Sequence, residues 1–239
     1  MIKVIWLSLP DLNGESRRKT LEALGYAPFD LVDMLFDKQK YIDWNTYMLT
    51  DKDYDYDWEN FFNNSDALTL MYSDMPLDRF IKIYPDCKII IESISYEEYA
   101  PRLELYRSFM KFVKRLSPII MQADRTYTAS MKALSILFKN DFSSFNIQKQ
   151  IGISEQEIMR LVPEEQQLIL RGNEYEWKDL CDFLGKPIPN VPISKSGNNN
   201  SYASIVKEIL INKFVKSWLW YVLYILIIIG LIIYLIQRS

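Results

Sequence analysis

From Ser217 to Ile236 the chain runs 20 residues without a charge, SWLWYVLYILIIIGLIIYLI. At about 1.5 Å of rise per residue a helix of that length reaches about 30 Å, the depth of a bilayer's hydrocarbon core. A helix apolar on every side has no polar face to give to water, so the run is read as a transmembrane helix and not as an amphipathic core helix. Trp218, Trp220, Tyr221 and Tyr224 gather at its start and Tyr234 near its end, where amphipathic rings settle at headgroup depth, and Gly230 is tolerated within it. Lys207, Lys213 and Lys216 precede the run against Arg238 after it, a bias that places residues 1–216 on the cytosolic side as a tail-anchored domain. The opening MIKVIWLSLPD is too short an apolar stretch for a signal peptide.

Residues 1–216 must then fold in water, and their chemistry is narrowed by what they lack. The chain has no His, which removes the Ser-His-Asp and Cys-His nucleophile arrangements, the HExxH zinc site and any imidazole base. With 28 Lys and Arg against 31 Asp and Glu it offers no overall basic surface, and no nucleic-acid partner is expected. Cys87 and Cys181 lie singly in apolar segments with no second ligand beside them, so both are read as reduced, packed side chains. The acidic stretch Asp51–Asp57 lacks the Gly and terminal Glu of a calcium loop. No metal is expected.

Short apolar runs alternate with longer amphipathic stretches. Lys3–Leu9, Ala67–Met71, Lys88–Ile91 and Gln167–Leu170 read as strands. Helices are expected over Arg17–Leu24, closed by Gly25, over Leu77–Ile83, and through a helix-rich middle of Tyr96–Leu116, Ile119–Phe138 and Ser154–Leu161. Ser154 and Glu157 have capping-box spacing, and Trp177–Leu184 is a last helix stopped by Gly185. Strands apolar on both faces and separated by helices imply a parallel α/β sheet. The prolines and the SGNNNS sequence of Lys186–Ser201 read as a loose linker toward the anchor.

Several of these segments carry a resemblance. Val4-Ile5 through Leu9-Pro10, Leu21-Glu22-x-Leu24-Gly25-Tyr26-x-Pro28, Tyr84-Pro85-Asp86-x-Lys88-Ile89-Ile90, Val162-Pro163-Glu164 and Trp177-x-x-Leu180-Cys181-x-Phe183-Leu184-Gly185-x-Pro187-x-Pro189 follow one another in order. The set resembles the short eukaryotic sulfotransferases with a GLPRTGTTSL loop, over about residues 3–192. The resemblance implies a three-layer, P-loop-like parallel sheet with a helix-rich middle. It divides the chain into a domain of residues 1–192, a linker and juxtamembrane helix at 193–216, and the anchor at 217–236.

It also implies where the sulfo donor, 3′-phosphoadenosine-5′-phosphosulfate, would be held. A loop of small residues after the first strand should cradle a phosphate at a helix N-terminus. Here that loop is Asp11-Leu12-Asn13-Gly14-Glu15-Ser16, with Asp11 at the family's Arg and Gly14 and Glu15 at its two Thr. At about 5 Å and an effective dielectric near 20, each carboxylate opposes a phosphate by about 3 kcal/mol. The family's second phosphate-holding Arg falls on Ile94, a neighbouring Asp on Ser95, and a later Ser on Arg102. Its DWP carboxylate falls in Leu70-Met71-Tyr72, and its FPHVN stretch on Ile193-Ser194-Lys195-Ser196-Gly197.

Only Ser16 and Arg17 remain as candidate donor-binding residues. Even for the cations Arg17, Arg18 and Lys19 the bland reading is preferred: two point to solvent and Arg17 pairs with Asp11 or Glu15. The expectation is a membrane-anchored, catalytically silent binding or scaffold module with no cofactor and an unidentified protein partner. The alternative is an active enzyme using the donor in an unconventional site.

Overall fold

In the computed structural model the described residues are 1–30, 33, 39–40, 42–44, 57–62, 64–72, 77–116, 121–172 and 175–194, with scattered positions between 211 and 228. Strand β1 (Val4–Ser8) leads into helix α1 (Gly14–Ala23) and the two-residue strand β2 (Pro28–Phe29). Next come α2 (Trp58–Phe62), β3 (Ala67–Met71), α3 (Leu77–Ile83) and β4 (Lys88–Ser93). Three long helices follow, α4 (Tyr96–Leu116), α5 (Met121–Leu137) and α6 (Ser144–Leu161), then β5 (Gln167–Arg171) and α7 (Trp177–Leu184). The strands form one parallel sheet in the order β2-β3-β1-β4-β5.

Alternation along the strands sorts the core into two layers. Ile5, Leu7, Leu68, Leu70, Ile89 and Ile91 point to one side, where Trp58, Phe61 and Phe62 of α2, Phe80 of α3 and Ile158 of α6 cover them. Val4, Trp6, Ala67, Ile90 and Leu170 point to the other, against Leu21 of α1 and Leu180, Cys181 and Leu184 of α7. A third cluster is helical: Tyr99, Leu103, Tyr106 and Met110 of α4 pack with Leu134 and Phe138 and with Ile147 and Ile151 of α6. It reaches down to Leu9, Leu12 and Ile94, so the helix-rich middle roofs the carboxyl edge of the sheet. Helices on both faces of a parallel sheet are the expected three-layer arrangement.

Ala67–Met71, Leu77–Ile83, Tyr96–Leu116 and Trp177–Leu184 fall where the pattern placed them. The last is held by reciprocal bonds between Glu176 and Asp179 and stops at Gly185, whose φ of 66° favours glycine. Elsewhere the structure corrects the reading. Helix α6 begins ten residues before Ser154, capped by the Ser143 hydroxyl, which accepts the N–H of Asn146; the Ser154/Glu157 spacing therefore lies mid-helix and caps nothing. Strand β1 ends at Ser8, not Leu9, while α1 begins at Gly14, within the Gly14–Ser16 start expected for the helix after the first strand. Strand β2 was too short to leave a pattern, and it forms because β3 offers it a parallel edge at Pro28–Ala67 and Phe29–Leu68.

The segment after α7 is not loose as far as Ser194. Lys186 N–H bonds the Cys181 carbonyl at 3.0 Å, Trp177 Nε1–H bonds the Val191 carbonyl at 2.7 Å, and Ile193 packs on the α1/α7 layer. The rest of the 193–216 linker, apart from 211–212 and 215, lies outside the described residues, as does most of the 217–236 run and nearly all of Asp51–Asp57. Within that run Trp218, Leu219, Leu226, Ile227 and Ile228 are helical and exposed. Among the described residues no helix is long and apolar enough to cross a membrane.

Candidate functional site

Strand β1 lies between β3 and β4, and the chain leaves it toward β2 on one side and leaves β4 toward β5 on the other. In an open parallel sheet the crevice beyond the carboxyl ends of two such strands is where ligands settle, with the helix N-terminus after the first strand ready for an anion. Here that crevice is bounded by the loop Leu9–Asn13, the start of α1, and the end of β4.

Four charged side chains fill it. Arg17 is buried and reaches Asp11 with both terminal nitrogens, Nη1 to Oδ1 at 3.0 Å and Nη2 to Oδ2 at 2.7 Å. Its Nε donates to Glu92 Oε2 at 2.8 Å. Arg102 comes down from α4 and donates from Nη1 to the other Glu92 oxygen at 2.9 Å, with Asp11 Oδ2 at 3.5 Å. Two guanidiniums thus face two carboxylates, and the set is neutral.

The Asp11 carboxylate does more than pair. It accepts the backbone N–H of Asn13 at 3.0 Å and the Asn13 side-chain amide at 3.1 Å. A side-chain carboxylate therefore takes a loop N–H that a cradle would offer to a phosphate. Burial pushes the Asp11 carboxyl up, but the charge and hydrogen bonds of Arg17, the Asn13 N–H and Arg102 outweigh it and hold the group below its ordinary value. For Arg17 burial works against the charge, and Asp11 and Glu92 more than offset it, so the guanidinium is held still more firmly protonated.

The neighbouring cations are engaged as well. Arg18 donates to Glu22 and Asp33 at 3.1 and 2.8 Å and forms an ion pair with Asp30 at 3.1 Å, beside an open cleft of about 530 Å³ next to β2. Lys19 lies 2.5 Å from Glu15. Arg17 pairs with Asp11 as expected, and in addition with Glu92, 75 residues away; the departure from expectation is at Arg18 and Lys19, which are ion-paired and not simply solvent-facing.

Ser16, the other candidate, donates its hydroxyl to the Ser194 carbonyl, and Thr20 approaches the same oxygen at 3.4 Å, so the segment after α7 closes over the start of α1. Ile94 is buried in the α4–α6 cluster and presents no donor. Leu70 is core, while the Tyr72 hydroxyl donates to the Glu92 carbonyl at 2.7 Å. Burial first, then Glu155 and Glu92, push the Tyr72 phenol well above its ordinary value, so it stays protonated. Glu155 of α6, at the same edge, also has its pKa raised by burial, against a hydrogen bond from Ser93 and the charge of Arg171. Burial lifts the Cys87 thiol to about 11 and raises Cys181 too; both are free and buried. Among the described residues no three His, Cys, Asp or Glu side chains gather as a metal site.

Glu92 was missed as a site residue. Its signal was present: within Lys88–Ser93 it shares a strand face with Ile90, which points at α1, so a charge there has to meet α1.

Sheet order, strand–loop–helix edge and roofing helices define an α/β protein of the P-loop-like kind with its ligand edge at β1–α1. A protein-family profile described as "Sulfotransferase domain" matches residues 3–202. The chain belongs to the sulfotransferase family. Among solved structures it is similar to a sulfotransferase from Alicyclobacillus acidocaldarius, at 12% identity over 91% of this chain and 92% of that one, with a TM-score of 0.47. No curated protein matches it.

Family membership implies a phosphorylated sulfo donor, and the residues present do not fit one. A phosphate dianion at this edge would add two negative charges to a set that is already neutral and displace Asp11 from Asn13.

Proposed function

We propose that this chain is a catalytically silent member of its family: a sulfotransferase-fold binding or scaffold module, anchored by residues 217–236 with residues 1–192 on the cytosolic side. The observation that carries the reading is the bidentate Asp11–Arg17 pair with Asn13 N–H on the same carboxylate, which puts the chain's own anion in the place of a ligand's. Neither Ser16 nor Arg17 is left to hold the donor, no cofactor is used, and the partners are the membrane and a protein still to be identified. Nucleic acid is not among them.

Calorimetry with adenosine 3′,5′-bisphosphate tests this. No heat of binding is expected at tens of micromolar, because charge-assisted contacts of about 1.5–3 kcal/mol each are missing. A dissociation constant near 1 µM would overturn the reading and promote an active enzyme, for which Glu155 is the carboxyl positioned at the same edge. Topology has its own reporter in the acceptor patterns Asn63-Asn64-Ser65 and Asn199-Asn200-Ser201. After expression in eukaryotic cells, endoglycosidase should leave the mobility of the chain unchanged; a shift would put the domain in the lumen.

A further inference from the structure

Charge is distributed unevenly along this chain. Residues 105–149 hold eight Lys and Arg against two Asp and no Glu, a net charge of +6 within a chain whose total is −3. The excess sits on α4, α5 and the first turns of α6, on the side of the molecule that roofs the sheet. Lys111, Lys114 and Arg115 of α4, Lys132 of α5, Lys139 and Lys149 are all exposed.

Large apolar side chains are exposed in the same place. Ile136 is 63% exposed, Phe142 37% and Phe145 78%, and all seven residues from Lys139 to Phe145 face solvent. Single exposed apolar residues are common on any surface. These three differ in that each has a cation beside it. Ile136 has Lys132 one turn before it, Phe145 has Lys149 one turn after it, and the Arg107 guanidinium lies 5.3 Å from the Phe142 ring.

The loop that carries them is fixed in shape. Lys139 and Asn140 both take left-handed backbone angles, with φ of 52° and 61°, to end α5. Asn146 then ties the turn together, donating from its side-chain amide to the Phe138 and Asp141 carbonyls at 2.7 Å each. The Asp141 carboxylate accepts the N–H of Ser143 at 2.9 Å. Phe145 is held outward by a built turn while Phe138, on the same turn, is buried in the helical core.

We infer that the α5–α6 turn and the basic face around it dock the domain onto an anionic lipid surface, with Phe142 and Phe145 entering the headgroup layer and Lys132, Lys139 and Lys149 meeting lipid phosphates. An apolar tip rimmed by cations is what a bilayer interface selects, and a net +6 segment is complementary to the negatively charged cytosolic leaflet. The inference rests on the anchored reading only for the nearness of that leaflet. Its consequence is orientation: the roof faces the membrane and the sheet's amino edge faces the cytosol.

The full-length chain carrying Ser144→Cys tests it, labelled with an environment-sensitive fluorophore; Cys87 and Cys181 are buried and leave the new thiol as the reactive one. The labelled chain is reconstituted into phosphatidylcholine vesicles with and without about 30% phosphatidylserine, an anionic-leaflet mimic. A several-fold brighter, blue-shifted emission is expected with phosphatidylserine, reversed by about 0.5 M salt. Combining Lys132→Glu, Lys139→Glu and Lys149→Glu should abolish the gain, since each lysine at an anionic surface changes partition about five-fold. Phe145→Ser on the labelled chain should remove most of the blue shift while leaving far-UV circular dichroism unchanged. Equal spectra in both lipids would overturn the inference. So would a gain that grows with protein density on neutral vesicles, which would assign the face to a second copy, or one that appears only on adding an acidic protein. Flotation of the same samples on neutral vesicles reports the anchor separately, so failure of the anchor and failure of the docking face are told apart.

Discussion

Ile90 and Glu92 stand two residues apart on β4, about 7 Å along one face of the strand, and both are buried. Around Ile90 everything is apolar: Val4, Trp6, Ala67, Leu21 and Leu180 close the layer between the sheet and α1/α7. Around the Glu92 carboxylate the pairing groups are charged: Arg17 from α1 and Arg102 from α4, both of which also reach Asp11 in the loop between β1 and α1. The first region is held by area removed from water, a non-directional effect that tolerates a neighbour of similar size. The second carries a heavy desolvation cost and works only because each carboxylate has its guanidinium and each guanidinium its carboxylate. Where an anion-binding edge would be, the chain keeps a polar site but satisfies it from within.

That contrast is tested most severely at Arg17. Replacing it with Ala strands Asp11 and half of Glu92 without their buried partner, and should cost about 3–5 kcal/mol in denaturant unfolding of the purified chain. At Ile90, Ile→Ala should cost about 2–5 kcal/mol by the loss of packing, and its effect, unlike that of Arg17→Ala, should not change with pH between 3 and 7. A loss at Arg17 of under about 0.5 kcal/mol would mean the edge is solvated and the network ornamental.

Acid sharpens the same distinction. Asp11 is held below its ordinary value in the fold, so its contribution to stability is complete above that value and is lost as pH falls through the lowered one. Unfolding free energy measured from pH 5 down to pH 2 should therefore decline, and Asp11→Asn should flatten part of that decline. Glu155, whose pKa is raised, acts with the opposite sign and costs stability as pH rises through its folded value. A wild-type profile unaltered by Asp11→Asn would remove Asp11 from the network.

Ser16→Ala deletes only the hydroxyl bond to the Ser194 carbonyl and should cost about 1 kcal/mol, with no change in the absence of bisphosphate binding. The smallest effect is expected from the double replacement Asp11→Leu with Arg17→Met. Exchanging a whole buried pair for apolar side chains of similar volume is often neutral, so stability should return to within about 1 kcal/mol of wild type and far above Arg17→Ala alone. Failure of the second change to rescue the first would show that the pair shapes the loop and does not merely neutralise it.

How much of this was legible beforehand depends on the distance over which each feature is set. Strands of five or six residues with apolar side chains on both faces, and helix α7 with its Gly185 stop, announce themselves because burial and capping act over a few neighbouring positions. The start of α6 was misplaced for a related reason: a serine at capping spacing was found at Ser154, while the serine that caps is Ser143, and only the packing of Ile147 and Ile151 on α4 and α5 decides between them.

By itself the sequence determined the alternation that makes a parallel sheet, the apolar run at 217–236, the absence of imidazole chemistry, and which charged residues stand in the loop after the first strand. Only the tertiary structure decided what those charges meet. Arg17 and Glu92 are 75 residues apart, and Asp11 and Arg102 are 91 apart. No local pattern links them. They meet because β4 pairs with β1 in parallel, which brings the end of one strand level with the loop leaving the other, and because α4 folds back over that edge. Charge pairing at these distances along the chain is a property of the sheet's register, since opposite charges far apart in sequence are screened from one another until the fold brings them together and takes the water away.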